Sequence, residues 1–224
     1  MTETFSILSL LDILGDEYIL LKKWPEFPSF LPGSDIDLLV LDRFMVSEKI
    51  QKYLWEILDG KECFLRVTEG AYHIHLDLIR ENKLWLRLDL IDGFDFFTQF
   101  SVQSALKIKL FLERERIDVE GQFIYIPSPE LELLIRYYEY LEWFERRPDK
   151  IKHLDFILAN STPEQQGKLI ENAHRFIRFH HAQWNGEVPP HPYSMRQKIK
   201  AINNKAKQLG KRIISKLSLG SSRK

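Results

Sequence analysis

Two stretches of strict alternation limit what this chain can fold into. Ala71-Tyr-His-Ile-His-Leu-Asp-Leu-Ile79 and Leu84-Trp-Leu-Arg-Leu-Asp-Leu-Ile91 each put an apolar residue at every second position. A period of two is the pattern of a strand with one buried face. Only Arg80-Glu-Asn-Lys83 lies between them, so the pair reads as an antiparallel hairpin. His73, His75 and Asp77 then share one face of the first strand. Arg87 and Asp89 share one face of the second. With a three-residue loop at 81–83, His75 falls opposite Asp89 and Asp77 opposite Arg87. Register matters here, because a slip of one residue would turn every one of these side chains to the other face.

A second strand carries the chemistry. Leu31-Pro-Gly-Ser-Asp-Ile-Asp-Leu-Leu-Val-Leu41 combines a turn signal at Pro32-Gly33-Ser34, two carboxylates at Asp35 and Asp37, and an apolar run from Leu38 to Leu41. Residues i and i+2 of a strand point to the same face, so the two carboxylates sit side by side at the mouth of a buried strand. Two anions that close repel unless a cation lies between them. Hard oxygen ligands at this spacing suit Mg²⁺ or Mn²⁺. The plainer reading is a turn with solvated aspartates, since Asp is common in turns.

Gly33-Ser34-Asp35-Ile36-Asp37-Leu38-Leu39-Val40 resembles the metal-binding signature of the DNA polymerase beta-like nucleotidyltransferase superfamily. The resemblance covers about the first hundred residues. It implies an α+β fold: a nucleotidyltransferase-like mixed sheet with flanking helices, followed by a helical domain. It also implies a third carboxylate on a later strand, with two Mg²⁺ ions acting on a nucleoside triphosphate. Asp89 is the expected third ligand, because Leu88-Asp89-Leu90 leading into Gly93-Phe94 is similar to the family's later strand. Asp77 is the alternative, or else a sheet neighbour paired with Arg87. Asp35, Asp37 and Asp89 are thus the expected catalytic and metal-binding residues. The chain departs from the family in one place. Where a Gly-Ser or Gly-Gly usually opens a phosphate-binding helix, it has Lys22-Lys23-Trp24. Lys22 and Lys23, with Ser34, are the expected nucleotide contacts in its stead.

Rival readings use the same residues. His73-Ile-His-Leu-Asp77 is similar to the His-x-His-x-Asp zinc string of metallo-beta-lactamase-fold hydrolases, but Leu78 stands where that string has its final histidine. A glycosyltransferase also uses Asp-x-Asp, yet there the pair follows its hydrophobic strand, whereas here it precedes one. A non-catalytic nucleotide-binding protein on the same scaffold fits the missing Gly-Ser.

The remaining segments follow from periodicity. A short helix is expected over 5–14 and a strand over Tyr18–Trp24, broken by Pro25 and Pro28. Ser47-Glu48 reads as a helix start, with Ile50, Tyr53, Leu54, Ile57 and Leu58 as its apolar stripe and Gly60 as its stop. Phe64–Thr68 reads as a short strand. From Ser101 the pattern becomes helical, apart from an extended Phe123–Ile126. Helices are expected from Val102 to Leu112, from Leu131 to about Arg147, from Lys150 to Leu158, and from Pro163 to His181. Lys150 and Lys152 sit at a helix start, where a lysine can reach phosphates. The expected domains are 1–100, the sheet; 101–188, helical; and 189–224, a proline linker with a basic amphipathic helix.

Charge and cysteine usage complete the reading. Of 32 basic residues, ten lie in 195–224 with no acid among them. The preceding 194 residues therefore carry 22 basic and 32 acidic side chains, so an acidic body bears a basic tail. The tail's apolar stripe, Ile199, Ile202, Ala206, Leu209, Ile213 and Leu217, is expected to dock on the chain's own body, a second subunit, an anionic membrane surface or nucleic acid. One cysteine, Cys63, excludes an internal disulfide and a cysteine zinc cluster. With no signal-peptide layout and no apolar run of about 20 residues, a cytoplasmic location is expected. The partners expected are a nucleoside triphosphate and a hydroxyl acceptor.

Overall fold

The structure is a computed structural model and describes residues 5–58, 63–144 and 146–179. Along the chain it begins α1 (Ile7–Ile13), β1 (Tyr18–Leu20), β2 (Ser34–Val40) and α2 (Arg43–Leu58). There follow β3 (Cys63–Glu69), β4 (His73–Arg80), β5 (Lys83–Ile91), β6 (Phe100–Val102), α3 (Ala105–Leu112), β7 (Glu115–Val119) and β8 (Gln122–Ile126). The remainder is α4 (Pro129–Trp143), a 3-10 turn at Pro148–Lys150, α5 (Ile151–Ala159), α6 (Pro163–Phe176) and β9 (Ile177–Phe179). The fold is α+β, with a five-stranded mixed sheet and flanking helices. The expected stop at Gly60 and the proline linker and basic helix of 189–224 lie outside the described residues. No described helix is long and apolar enough to cross a membrane.

Two compact units divide the described chain, one of residues 5–96 with 102–132, the other of 97–101 with 133–179. Residues 102–132, which follow the change of pattern at Ser101, group with the sheet. In the first unit the strand order is β1-β2-β5-β4-β3. The β2–β5 pair is parallel; the other neighbours are antiparallel. Alternation gives this sheet two unlike faces. On one, Ile36, Leu38, Ile74, Leu76, Leu78, Leu86, Leu88 and Leu90 are all buried. They join one core with Leu10 and Leu11 of α1, Leu14 just after it, Val46, Ile50 and Leu54 of α2, and Ile124 of β8. Each fully buried leucine contributes roughly 1.5–3 kcal/mol, so this layer fixes register as well as fold.

The β4–β5 hairpin pairs His75 with Asp89 and Asp77 with Arg87, as the spacing predicts. It reaches that register by another route. Arg80 pairs with Lys83 across a two-residue turn, Glu81-Asn82, whose φ values are 52° and 58°. Both central residues at positive φ match the twist of a tight hairpin. A register shift between Leu78 and Ile79 then absorbs the one-residue difference.

Several boundaries differ from those expected. α2 starts at Arg43, not Ser47, because Asp42 caps it: its Oδ1 accepts from the backbone N–H of Phe44 at 2.9 Å and of Met45 at 3.1 Å. Ser47 instead lies buried within the helix, accepting from Gln51 Nε2 at 3.0 Å. β1 is three residues long rather than seven. Leu21 N–H still donates to Asp37 O at 3.1 Å, after which the chain leaves the sheet. β7 has no counterpart in the expected pattern; it pairs with β8 around Glu120-Gly121, both at positive φ. α6 ends at Phe176 rather than His181, and β9 follows it, pairing with β6.

In the second unit, Phe97, Phe100 and Tyr138 pack edge to face or tilted, with ring centroids 4.9–6.4 Å apart. The buried Glu142 carboxylate accepts from Thr98 N and Gln99 N at 2.9 Å and from Thr98 Oγ1 at 2.6 Å. These donors satisfy a charge that would be costly to bury alone. α6 opens with a capping box between Thr162 and Gln165. Lys150 Nζ lies 3.4 Å from Glu139 Oε2, and His153 Nε2 lies 2.9 Å from the same oxygen. Lys152 is exposed.

Candidate metal centre

The other face of the five-stranded sheet is polar, and its composition follows from the register. Asp37 on β2 is the Cα partner of Asp89 on β5, which pairs with His75 on β4, which pairs with Thr68 on β3. One step along, Asp35 pairs with Arg87, Arg87 with Asp77, and Asp77 with Arg66. Two cross-sheet rows of polar side chains thus lie side by side.

The parallel β2–β5 pair brings the three expected carboxylates together. Asp35, Asp37 and Asp89 each offer an oxygen, and the three atoms lie within 4.8 Å of one another. Gly33 sets where this strand begins. Its φ is 87°, and its N–H donates to Trp85 O at 2.8 Å. A side chain at that φ is strained, so glycine here holds β2 on β5 one residue before Ser34. Asp35 is exposed, while Asp37 and Asp89 are half-buried.

Crowding and burial raise the Asp89 pKa to about 7, burial first and the Asp37 and Asp35 carboxylates next. Its Oδ1 is buried and accepts no hydrogen bond. His75 Nδ1 lies 2.8 Å from that oxygen but out of hydrogen-bonding geometry, and is itself unsatisfied. Burial, His73 and Arg87 lower the His75 pKa, so a neutral ring faces the carboxylate. The His73 and His75 rings stand 4.1 Å apart. An orphaned carboxylate oxygen among three hard donors fits a divalent cation: it would satisfy the oxygen and return Asp89 to its charged form.

The other expected residues fall as follows. Lys22 Nζ lies 2.7 Å from Asp37 Oδ2, so the lysine found in place of the Gly-Ser reaches the carboxylate cluster. Lys23 is exposed, and Ser34 is the half-buried first residue of β2. Asp77 does not join the cluster. It is 1% exposed and paired with Arg66 and Arg87, which hold its pKa down to about 2, Arg87 foremost. His73, His75 and Asp77 likewise form no ligand set among the described residues. Arg66 escaped the sequence reading. Pairing the Phe64–Thr68 stretch with the hairpin would have put it opposite Asp77.

No family model matches the chain, and no curated protein matches it. Among solved structures it is similar to an antigenic nucleotidyltransferase-like protein from Paracoccidioides brasiliensis. The identity is 14%, the match covers 75% of this chain and 85% of that one, and the TM-score is 0.40. At that distance the site has to be read from its own geometry.

Proposed function

We propose that the chain is a divalent-metal-dependent nucleotidyltransferase of the DNA polymerase beta-like superfamily, moving a nucleoside monophosphate from a nucleoside triphosphate to a hydroxyl acceptor. The observation that carries this is the convergence of Asp35, Asp37 and Asp89 within 4.8 Å on adjacent parallel strands. Asp35 and Asp37 would hold two Mg²⁺ or Mn²⁺ ions and Asp89 the one nearer the acceptor. When bound, the ions activate the acceptor hydroxyl and neutralise triphosphate charge. The acceptor oxygen attacks the α-phosphorus, the bond to the bridging oxygen breaks, and pyrophosphate leaves. Asp89, the most enclosed of the three acids, is suited to take the hydroxyl proton. With a cation at the site Asp89 would be a charged carboxylate, the form that accepts a proton. Lys22, beside Asp37, supplies positive charge where the triphosphate carries negative.

The test is transfer of label from α-labelled triphosphates with Mg²⁺ or Mn²⁺, screened over small hydroxyl acceptors, nucleic acid ends and protein. Transfer that disappears in Asp35→Asn supports the reading; transfer that survives it removes these carboxylates from the chemistry. One observation favours a second reading, a nucleotide-binding protein without turnover: the Lys22 ammonium occupies Asp37 as a cation would. Saturable triphosphate binding with no transfer to any acceptor would select it.

A further inference from the structure

The polar face holds a second group that the carboxylate cluster does not use. Asp77, in the middle of β4, is 1% exposed. Arg66 from β3 donates to its Oδ2 from Nε at 3.2 Å and from Nη2 at 2.6 Å. Arg87 from β5 donates from Nε to Oδ1 at 2.6 Å and from Nη2 to Oδ2 at 2.9 Å. Four N–H donors from two guanidiniums meet on one carboxylate. One arginine would neutralise it; the second charge is set partly against Asp35 and Asp89, which also act on Arg87, while Arg66 lies on the far side of Asp77 from them.

Both guanidiniums are held by the same edge. With Nε and Nη2 on Asp77, neither Nη1 has a partner among the described residues, and neither is a buried unsatisfied atom. The side chains remain 56% and 31% exposed at Arg66 and Arg87. A guanidinium fixed along one edge presents its other N–H groups in a rigid fork, the geometry that carboxylate and phosphate oxygens accept. Holding both in place beforehand spares the entropy of ordering two long side chains on binding.

Position gives the ligand its role. Strands lie about 4.8 Å apart, so a pair centred on β4 stands about 10 Å from β2 and its aspartates, with Arg87 between. Lys22 lies beside Asp37, at the opposite end of this polar face. A triphosphate on the Lys22 side leaves the arginines for the other substrate. We propose that Arg66 and Arg87, anchored by Asp77, form an anion subsite that binds a phosphate or carboxylate carried by the hydroxyl acceptor. The word acceptor rests on the nucleotidyltransferase reading; the anion subsite does not. The acceptor class is therefore a hydroxyl compound with an anionic group some 5–10 Å from the reacting oxygen.

Binding of inorganic phosphate to the metal-free full-length protein, followed by ³¹P line broadening at constant ionic strength, tests the subsite apart from any turnover. Saturable broadening is expected. It should weaken at least tenfold in Arg66→Gln, where Arg87 still neutralises Asp77, and several-fold in Arg66→Lys, which keeps the charge but loses the fork. Lys52→Gln, which removes one exposed positive charge on α2, should change nothing. Competition by acetate then separates carboxylate from phosphate preference. Absence of saturable binding, equal binding by wild type and Arg66→Gln, or full binding by Arg66→Lys would each overturn the subsite. Phosphate binding that follows this pattern in a protein that transfers no nucleotide would keep the subsite and remove only its acceptor role.

Discussion

The two faces of the five-stranded sheet are built from the same strands, residue by alternate residue, and they do opposite work. Leu88 and Asp89 are neighbours in sequence. Leu88 is fully buried against the core, whereas Asp89 is half-buried in a cluster of like charges. The apolar face gains free energy from every side chain it buries. The polar face concentrates three carboxylates that repel one another, and the core on the far side holds them there. Repulsion among these carboxylates is tolerated because the well-packed layer behind them fixes the strands that carry them.

The sharpest way to break this comparison is to mutate both neighbours. Leu88→Ala should cost about 2–5 kcal/mol in denaturant unfolding, from lost transfer energy and the cavity left behind. Asp89→Asn should cost little or stabilise, since it removes one of three repelling charges. A large loss from Asp89→Asn would mean that the carboxylate cluster is structural too.

Next in size is a pH effect. The folded-state pKa of Asp89 is raised from 3.8 to about 7. A raised carboxyl pKa favours the protonated form in the folded state. The stabilisation is therefore complete below pH 4 and is lost as pH rises through about 7, by about 4 kcal/mol. Asp89→Asn should flatten this slope in metal-free protein, and added Mn²⁺ should stabilise the protein at pH 8. Asp77 runs the other way. Its folded pKa is lowered from 3.8 to about 2, so its contribution is full above pH 4 and is lost as pH falls through about 2, by about 2 kcal/mol. Acid titration of Asp77→Asn against wild type checks the sign. The smallest effects belong to the lysines. Lys23→Ala should stay within about 0.5 kcal/mol in thermal unfolding. Lys22→Ala should tighten Mn²⁺ binding, because it removes an ammonium that competes for Asp37.

Much of this was legible in the residues. Alternation in 71–91 gave the hairpin and its cross-strand pairs, and Asp35-Ile-Asp37 ahead of an apolar run gave the exposed start of a buried strand. Period-two patterns report which face a residue takes, so they locate site residues well. They report strand order poorly. Nothing local says that β2 lies against β5, and the Asp37–Asp89 pairing is a long-range fact. Arg66 was missed for the same reason: its partner, Asp77, is visible only once β3 is placed on β4. The start of α2 was missed because a serine four residues into the helix looked like a cap, while the residue that does cap it, Asp42, directly follows the apolar run of β2. β7, Glu115–Val119, has charged residues at three of five positions and too little apolar contrast to be read as a strand.

Mn²⁺ binding tests the central claim most directly. A titration followed by electron paramagnetic resonance should find saturable Mn²⁺ in the wild type, competed by Mg²⁺, and should lose it in Asp37→Asn and in Asp89→Asn while both variants remain folded. Equal Mn²⁺ binding by all three proteins would mean that these carboxylates do not hold the ion.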